Sequence, residues 1–275
     1  MGRALRDTLA TSFELLCVDR VPTEARPGER AFQIDLGYPE QIDRLFELLG
    51  DDAKTIRAVV HLAAYYDFSN RPDPRYERLE AALPHLLEQL DAHTPADAPI
   101  IYASSMAALA PTEPGHALGP DAPRVGQWAY PRHKLNCETT LEASGTDRSV
   151  VELVLAGVYS DAGELVPLHQ QIKRIANRSI EAMFYPGPVN RGLTYVHIED
   201  TAAAFARAVD TFAGTRGERA RLMIGEETPV TYAEIHSAAS KLLHGRVLPL
   251  LRVPRFIAWL GAVVLFALAQ LLRVR

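Results

Sequence analysis

The chain has 275 residues, 48% of them hydrophobic, enough to bury a full core as one large α/β domain or one domain with a small appendage. A formal net charge of -5 without any basic block makes nucleic acid an unsuitable partner. Two cysteines, Cys17 and Cys137, have no metal-ligand spacing and make no disulfide framework, which suits a reducing cytoplasm; the opening Met1-Gly2-Arg3-Ala4 leads into a helical pattern, not a signal peptide.

Ala4 to Ala10 reads as a helix with Leu5 and Leu9 on one face, and no strand precedes it. Phe13 to Val18 is a short apolar run closing on Asp19-Arg20, the pattern of a buried parallel strand and its carboxyl-end loop. A loop rich in proline and glycine over 22–29 leads to a brief strand, Ala31 to Ile34, which closes on Asp35-Leu36. Pro39 to Leu49 is an amphipathic helix, and Ala58 to Leu62 a strand ending in the small pair Ala63-Ala64. A helix covers 75–92, where Pro84 is expected to kink or break it. Ile100 to Ala103 is a strand ending at Ser104-Ser105, and the proline- and glycine-rich stretch 110–124 suits a loop over a site. A helix carrying Tyr130 follows, then a strand from Val150 to Leu155.

Beyond residue 160 the pattern loosens. Leu165 to Asn177 is helical, and Thr194 to Ile198 is a strand feeding an alanine-rich helix that runs through Val209 and that Asp200 is expected to cap. Arg221 to Ile224 is a strand, and Tyr232 to Leu243 a helix started by Thr231. Strand–helix alternation with continuous apolar strands predicts a parallel sheet covered on both faces, and ligands gather outside the carboxyl ends of such strands. Asp19, Asp35, Ala63-Ala64 and Ser104-Ser105 fall at four such ends and point to one shared crevice. The expected organisation is a first domain over 1–160, a smaller substrate-facing lobe over 161–252, partly interleaved with it, and an apolar helix over 253–275.

Tyr130 and Lys134 stand four residues apart, one turn from each other on the same helix face. An ammonium beside a phenol favours phenolate and lowers its pKa, so the pair can move a proton to or from a substrate oxygen near neutral pH. His61 reads as a core histidine and receives no catalytic role.

Taken together, these residues resemble the extended short-chain dehydrogenase/reductase family, also called the NAD-dependent epimerase/dehydratase family. The matches run in family order: Val18-Asp19, Asp35-Leu36, His61-Leu62-Ala63-Ala64, Ala103-Ser104-Ser105, Tyr130 to Lys134 with Glu138, and Tyr195 to Asp200. The resemblance implies a Rossmann-type doubly wound parallel sheet with a small C-terminal substrate lobe. It implies Tyr130 as the acid/base, Lys134 as its pKa-lowering partner and a holder of the nicotinamide ribose, and Ser105 as a donor to the reacting oxygen. Asp19 is then expected at the adenosine ribose and Asp35 with Leu36 at the adenine. Leu62, Ala63 and Ala64 are expected beside the phosphates and ribose. NAD is the expected cofactor, although Arg20 beside Asp19 can instead meet the 2′-phosphate of NADP.

The pattern departs from the family in three places. The family opens with a strand and a Gly-x-x-Gly-x-x-Gly turn that seats pyrophosphate on a helix N-terminus. Here Gly2 matches only its last glycine, so the first strand, which belongs mid-sheet, and the turn are missing from the sequence. A late-called start, a truncated chain or a variant without pyrophosphate binding each accounts for this, and the sequence as written is expected to bind dinucleotide poorly. After His61-Leu62-Ala63-Ala64, Leu79, Ala82 and Leu83 stand where the family carries polar and small residues, and Ser160 replaces a glycine after Val158-Tyr159.

Phe256 to Leu272 is 17 residues without a charge, between Arg255 and Arg273. As a helix it spans roughly 25 Å, short of a hydrocarbon core near 30 Å, so it reads either as a membrane-surface segment or as a buried helix. The leading expectation is an NAD(P)-dependent oxidoreductase acting on a small-molecule secondary alcohol or ketone, either a nucleotide sugar or a sterol-like alcohol. Pairing as a homodimer is compatible with it. The alternative is a non-catalytic dinucleotide-sensing or partner-binding protein of the same fold.

Overall fold

Short apolar runs become strands and amphipathic segments become the helices between them. The computed structural model describes residues 1–67, 71–113, 116, 118–119, 121–254, 256–257, 259 and 263. In chain order it has α1 (Gly2–Leu9), β1 (Leu15–Asp19), β2 (Glu29–Gln33), α2 (Pro39–Leu49), β3 (Val59–His61), α3 (Pro74–His93), β4 (Ile100–Ser105), α4 (Ala129–Ala143), β5 (Val150–Leu155) and β6 (Gly157–Tyr159). Then come α5 (Val166–Ala176), α6 (Ile180–Met183), β7 (Phe184–Tyr185), β8 (Gly192–Leu193) and β9 (Tyr195–His197). The last elements are α7 (Ile198–Phe212), β10 (Arg219–Ile224), β11 (Val230–Thr231), α8 (Tyr232–His244) and β12 (Leu251–Arg252).

The chain forms two units, one of Met1–Val158 with Val196–Gly225, the other of Tyr159–Tyr195 with Glu226–Arg275. The expected boundary near residue 160 is therefore only the first of three crossings. The segment carrying α7 and β10 lies in the first unit.

In the first unit β3, β4, β5 and β10 form one sheet in the order β10-β5-β4-β3, every pair parallel. β1 and β2 pair in parallel as a separate sheet. β4 and β5, flanked by strands on both sides, are buried almost throughout, whereas β1 and β3 each end a sheet and are mostly half-buried. Helices cover both faces. Ile42 and Phe46 of α2, Leu83 and Leu87 of α3, and Cys137 and Leu141 of α4 pack against Ile100 and Tyr102 on one face. On the other, Leu5 and Leu9 of α1 join Phe205 and Val209 of α7 against Ile101, Ala103, Val151 and Leu153. This is the doubly wound parallel arrangement the alternation predicts.

Two local expectations are corrected. Pro84 does not break α3, which runs unbroken from Pro74 to His93. Its ring is exposed while Ala82, Leu83, Leu86 and Leu87 are buried, so the buried stripe holds the helix together across the missing N–H. Asp200 lies inside the first turn of α7, and the cap is His197, whose ring accepts from the Glu199 N–H at 3.4 Å.

In the second unit α5 packs on α8 around Ile175, Ala182 and Leu248. Thr231 and Glu234 form the expected capping box at the start of α8. Most of the apolar stretch 256–272 lies outside the described residues. Among the described residues no helix is long and apolar enough to cross a membrane.

Candidate active site

β4 ends on Ser105, and α4 returns across the same strand after the segment that follows. Trp128 stands at the N-cap of α4 without a side-chain cap, and Pro131 falls in the first turn, where its missing N–H costs no helical bond. Tyr130, Lys134 and Glu138 are spaced by four and so share one face of α4. That face meets β4 residue by residue. The Ser105 hydroxyl acts on Tyr130, favouring its ionised form, while Lys134 Nζ donates to the Ala103 carbonyl at 2.6 Å and Ser104 Oγ donates to Glu138 Oε1. Ser105 is also held by its own turn, accepting from the Ala107 N–H at 3.2 Å. Thus the three residues proposed for chemistry, Ser105, Tyr130 and Lys134, stand together at the carboxyl end of a central strand.

Their acidities differ from the expectation. Tyr130 packs edge-on to Tyr66 at 4.5 Å and beside Trp128 at 5.7 Å, and burial pushes its phenol up to about 12, against a downward pull from Ser105. Lys134 is itself buried, which brings it down to about 8, and its ammonium lies over the Tyr102 ring at 4.8 Å and 5.9 Å from the Tyr130 ring centre. In a dry site the cost of charging the phenol outweighs the attraction of an ammonium already hydrogen-bonded elsewhere. His61, lowered to about 3 by burial and then by Lys134 and His133, is a neutral ring against Tyr102.

The residues expected to hold a cofactor occupy the other strand ends. Asp19 ends β1, is exposed, and accepts the Val21 N–H at 3.1 Å through one oxygen. Asp35 follows β2 and turns the chain into α2, accepting from the Gly37 N–H at 3.0 Å while its own N–H donates to Gln41 Oε1 at 2.8 Å. Ala63 and Ala64 follow β3 as small, partly and fully exposed positions, and Gly2 opens α1 with nothing near where a side chain would point. Leu36 and Leu62 are partly buried and pack against the two cores. A cavity of about 680 Å³ is lined by Arg20, Gln33, Asp35, Gln41 and Arg44, among others; Ser105, Tyr130 and Lys134 do not line it. It joins Arg20 to Asp35 but is not the site of the chemistry.

Sequence reasoning left three site residues without a role: Ser104, Glu138 and Arg221. Glu138 was legible as the next step of the four-residue spacing, whereas nothing local marks Arg221, which reaches Glu138 Oε2 at 3.0 Å from 83 residues away.

A parallel α/β sheet with a serine, tyrosine and lysine at one strand end defines a dehydrogenase/reductase-type fold. The chain belongs to the NAD dependent epimerase/dehydratase family, whose model matches residues 1–224. This is a family of NAD-dependent enzymes. No curated protein matches the chain in sequence. Among solved structures it is similar to a Thermus thermophilus UDP-glucose 4-epimerase in complex with NAD, at 20% identity and a TM-score of 0.68, covering 92% of this chain and 83% of that one. It is also similar to a Bacillus cereus UDP-glucuronic acid 4-epimerase in complex with UDP-glucuronic acid and NAD, at 15% identity and a TM-score of 0.71, covering 92% and 82%. At such identities the likeness speaks to the fold.

Proposed function

We propose that the chain is an NAD(P)-dependent oxidoreductase of the epimerase/dehydratase type, acting at a secondary alcohol or ketone, with Tyr130 moving the proton at the substrate oxygen. The gathering of Ser105, Tyr130 and Lys134 at the carboxyl end of β4 carries this reading, because one oxygen placed between the two hydroxyls meets both a donor and an acid. The residues present fit a dinucleotide. Among the described residues one Asp19 carboxylate oxygen makes no hydrogen bond and is available to a ribose diol, Ala63 and Ala64 are small residues after β3, and the first N–H groups of α1 at Gly2 have no partner. A bound nicotinamide supplies or accepts the hydride.

The protein's own part is proton traffic. At neutral pH Tyr130 is a neutral phenol, so in this structure it acts as the acid, giving its proton to a carbonyl oxygen as that oxygen gains charge. Ser105 donates a hydrogen bond to the same oxygen. Lys134, still mostly an ammonium at pH 7 and 5.9 Å from the Tyr130 ring centre, then favours the phenolate left behind. In the reverse direction the same phenolate is the base.

A nucleotide sugar is the substrate class we favour, supported by the UDP-sugar epimerases of the same fold. A hydrophobic alcohol is the second reading, supported by the Tyr66 and Trp128 rings that flank Tyr130. The test is a panel of UDP-sugars and apolar secondary alcohols, followed by nicotinamide absorbance and by NMR of the products for epimerisation. Tyr130→Phe is expected to cut kcat by about 10²–10⁴-fold while leaving the NAD Kd near its original value. Unchanged turnover in that variant would end the mechanism and favour a dinucleotide-sensing role.

The reading extends to a bilayer surface at the apolar stretch 256–272. Phe256, Ile257, Trp259 and Val263 are exposed, as are Lys241, Arg246 and Arg252 in the segment leading to them. Exposed apolar side chains with neighbouring cations suit the interface of an anionic membrane.

A further inference from the structure

Glu138 is fully buried on α4, one turn beyond Lys134. Burying a carboxylate is costly unless its charge and lone pairs are met. Here Oε1 accepts from the Ser104 hydroxyl, and Oε2 accepts from Arg221 Nη1 at 3.0 Å with Arg124 Nη1 at 3.5 Å. Arg221 stands on β10, in register with Glu152 of β5, and the same Nη1 donates to Glu152 Oε2 at 2.7 Å. Arg124 also pairs with Glu142 at 2.6 Å. A cluster drawn from α4, β5, β10 and the segment before α4, buried at Glu138 and Glu152 and open to solvent at Arg124, therefore meets the strand end that carries Ser105 through Ser104.

The consequence runs through Ser104. A carboxylate accepts but cannot donate, so the single proton of the Ser104 hydroxyl must point at Glu138. Its lone pairs then face the Ser105 N–H, which donates to Ser104 Oγ at 2.6 Å. With its backbone tied this way and its hydroxyl accepting from the Ala107 N–H at 3.2 Å, Ser105 is held at the strand end that Tyr130 shares. Ala103 and Ser104 of β4 are thus matched to successive turns of α4, and the Ser104 hydroxyl links Glu138 to the Ser105 backbone.

We propose that Glu138, seated on Arg221, is a positioning residue: through Ser104 it fixes the backbone of Ser105 so that the Ser105 hydroxyl meets Tyr130. The assignment rests on the reading of Tyr130 as the proton-moving group, and its test separates the two. A 3-fluorotyrosine placed at position 130 gives a ¹⁹F titration that needs neither substrate nor cofactor. Because Ser105 favours the ionised phenol, Ser104→Ala is expected to move that titration up by about one unit, the scale of one hydrogen bond to a charged group. Glu138→Ala should do the same, and the double variant should add nothing further. Glu138→Gln keeps an acceptor for Ser104 and should stay close to the parent. In turnover, Ser104→Ala should lower kcat about tenfold, the equivalent of that one unit, with KM within about twofold.

Glu138→Ala strands Arg221 and can fail to fold. Ser104→Ala, which deletes a single oxygen, then carries the test. An unmoved ¹⁹F titration in Ser104→Ala, alongside a lowered Tm, would overturn the proposal and leave the cluster as packing. A parent protein that turns over no alcohol or ketone would instead end the functional reading, with the titration still deciding the role of Glu138.

Discussion

Inside the first unit the ammonium of Lys134 is met by a carbonyl and a ring face. Nζ donates to Ala103 O at 2.6 Å and lies 4.8 Å from the centre of the Tyr102 ring. These return part of the hydration it loses, and burial still brings it down from 10.5 to about 8. Between about pH 8 and 10.5 the unfolded chain then binds the proton that the folded chain has released, so this residue's contribution to stability rises with pH across that window. Urea unfolding of the parent against Lys134→Met at both ends of the window is expected to show the parent gaining on the variant. A constant difference would contradict the burial of this charge. Glu152 has the opposite sign. Burial pushes it up from 4.5 to about 7, so its contribution is full below pH 4.5 and is lost as pH rises through 7, and Glu152→Gln should flatten that part of the pH–stability curve.

At the scale of elements, two connections hold α4 and β5 to the rest. Gly126 precedes α4 with φ at +45°, and a Cβ there would lie 2.9 Å from Leu135 Cδ1 and 3.0 Å from Arg132 Cα. Gly126→Ala is expected to cost about 1–3 kcal/mol, read by urea unfolding, and to disturb the first turn that carries Tyr130. Arg148, just before β5, is buried and gathers the Leu90 carbonyl of α3 with those of the turn that follows it. Its Nη2 donates to Leu90 O at 2.6 Å and Thr94 O at 3.0 Å, its Nη1 to Pro95 O at 2.7 Å and Ala98 O at 3.0 Å, and its Nε to Asp91 at 2.5 Å. Arg148→Met is expected to cost about 3–5 kcal/mol, and a thermal midpoint near that of the parent would refute this. The cap at Thr231 and the strands β4 and β5 were legible because caps and apolar runs are local signals. The continuity of α3 through Pro84 was not, because it depends on which side of the helix is buried.

At the scale of the whole molecule, the chain leaves its first unit after Val158 and returns at Val196 to supply α7 and β10. That return delivers Arg221 to Glu138 and Glu152, and it lays Phe205 and Val209 over the sheet. A division of the sequence near residue 160 therefore does not isolate the first unit, and a fragment ending there would lack one strand of the four-stranded sheet and a helix. The membrane reading belongs at this scale too. Flotation with vesicles rich in anionic lipid is expected to carry the full chain, and replacing Phe256, Ile257 and Trp259 by serine should release it. Flotation indifferent to those three changes would remove the bilayer from the reading.

The sequence by itself determined the alternation of strand and helix, the placing of Asp19, Asp35, Ala63 and Ser105 at strand ends, and the shared face of Tyr130 and Lys134. Each follows from a periodicity or a spacing of a few residues, which backbone geometry turns directly into position. Only the tertiary structure decided how acidic Tyr130 and Lys134 are, what meets the charge of Glu138, and which unit α7 and β10 join. Those depend on burial and on partners as much as 83 residues apart, and the desolvation of a charge is set by everything that surrounds it, not by its neighbours in the chain.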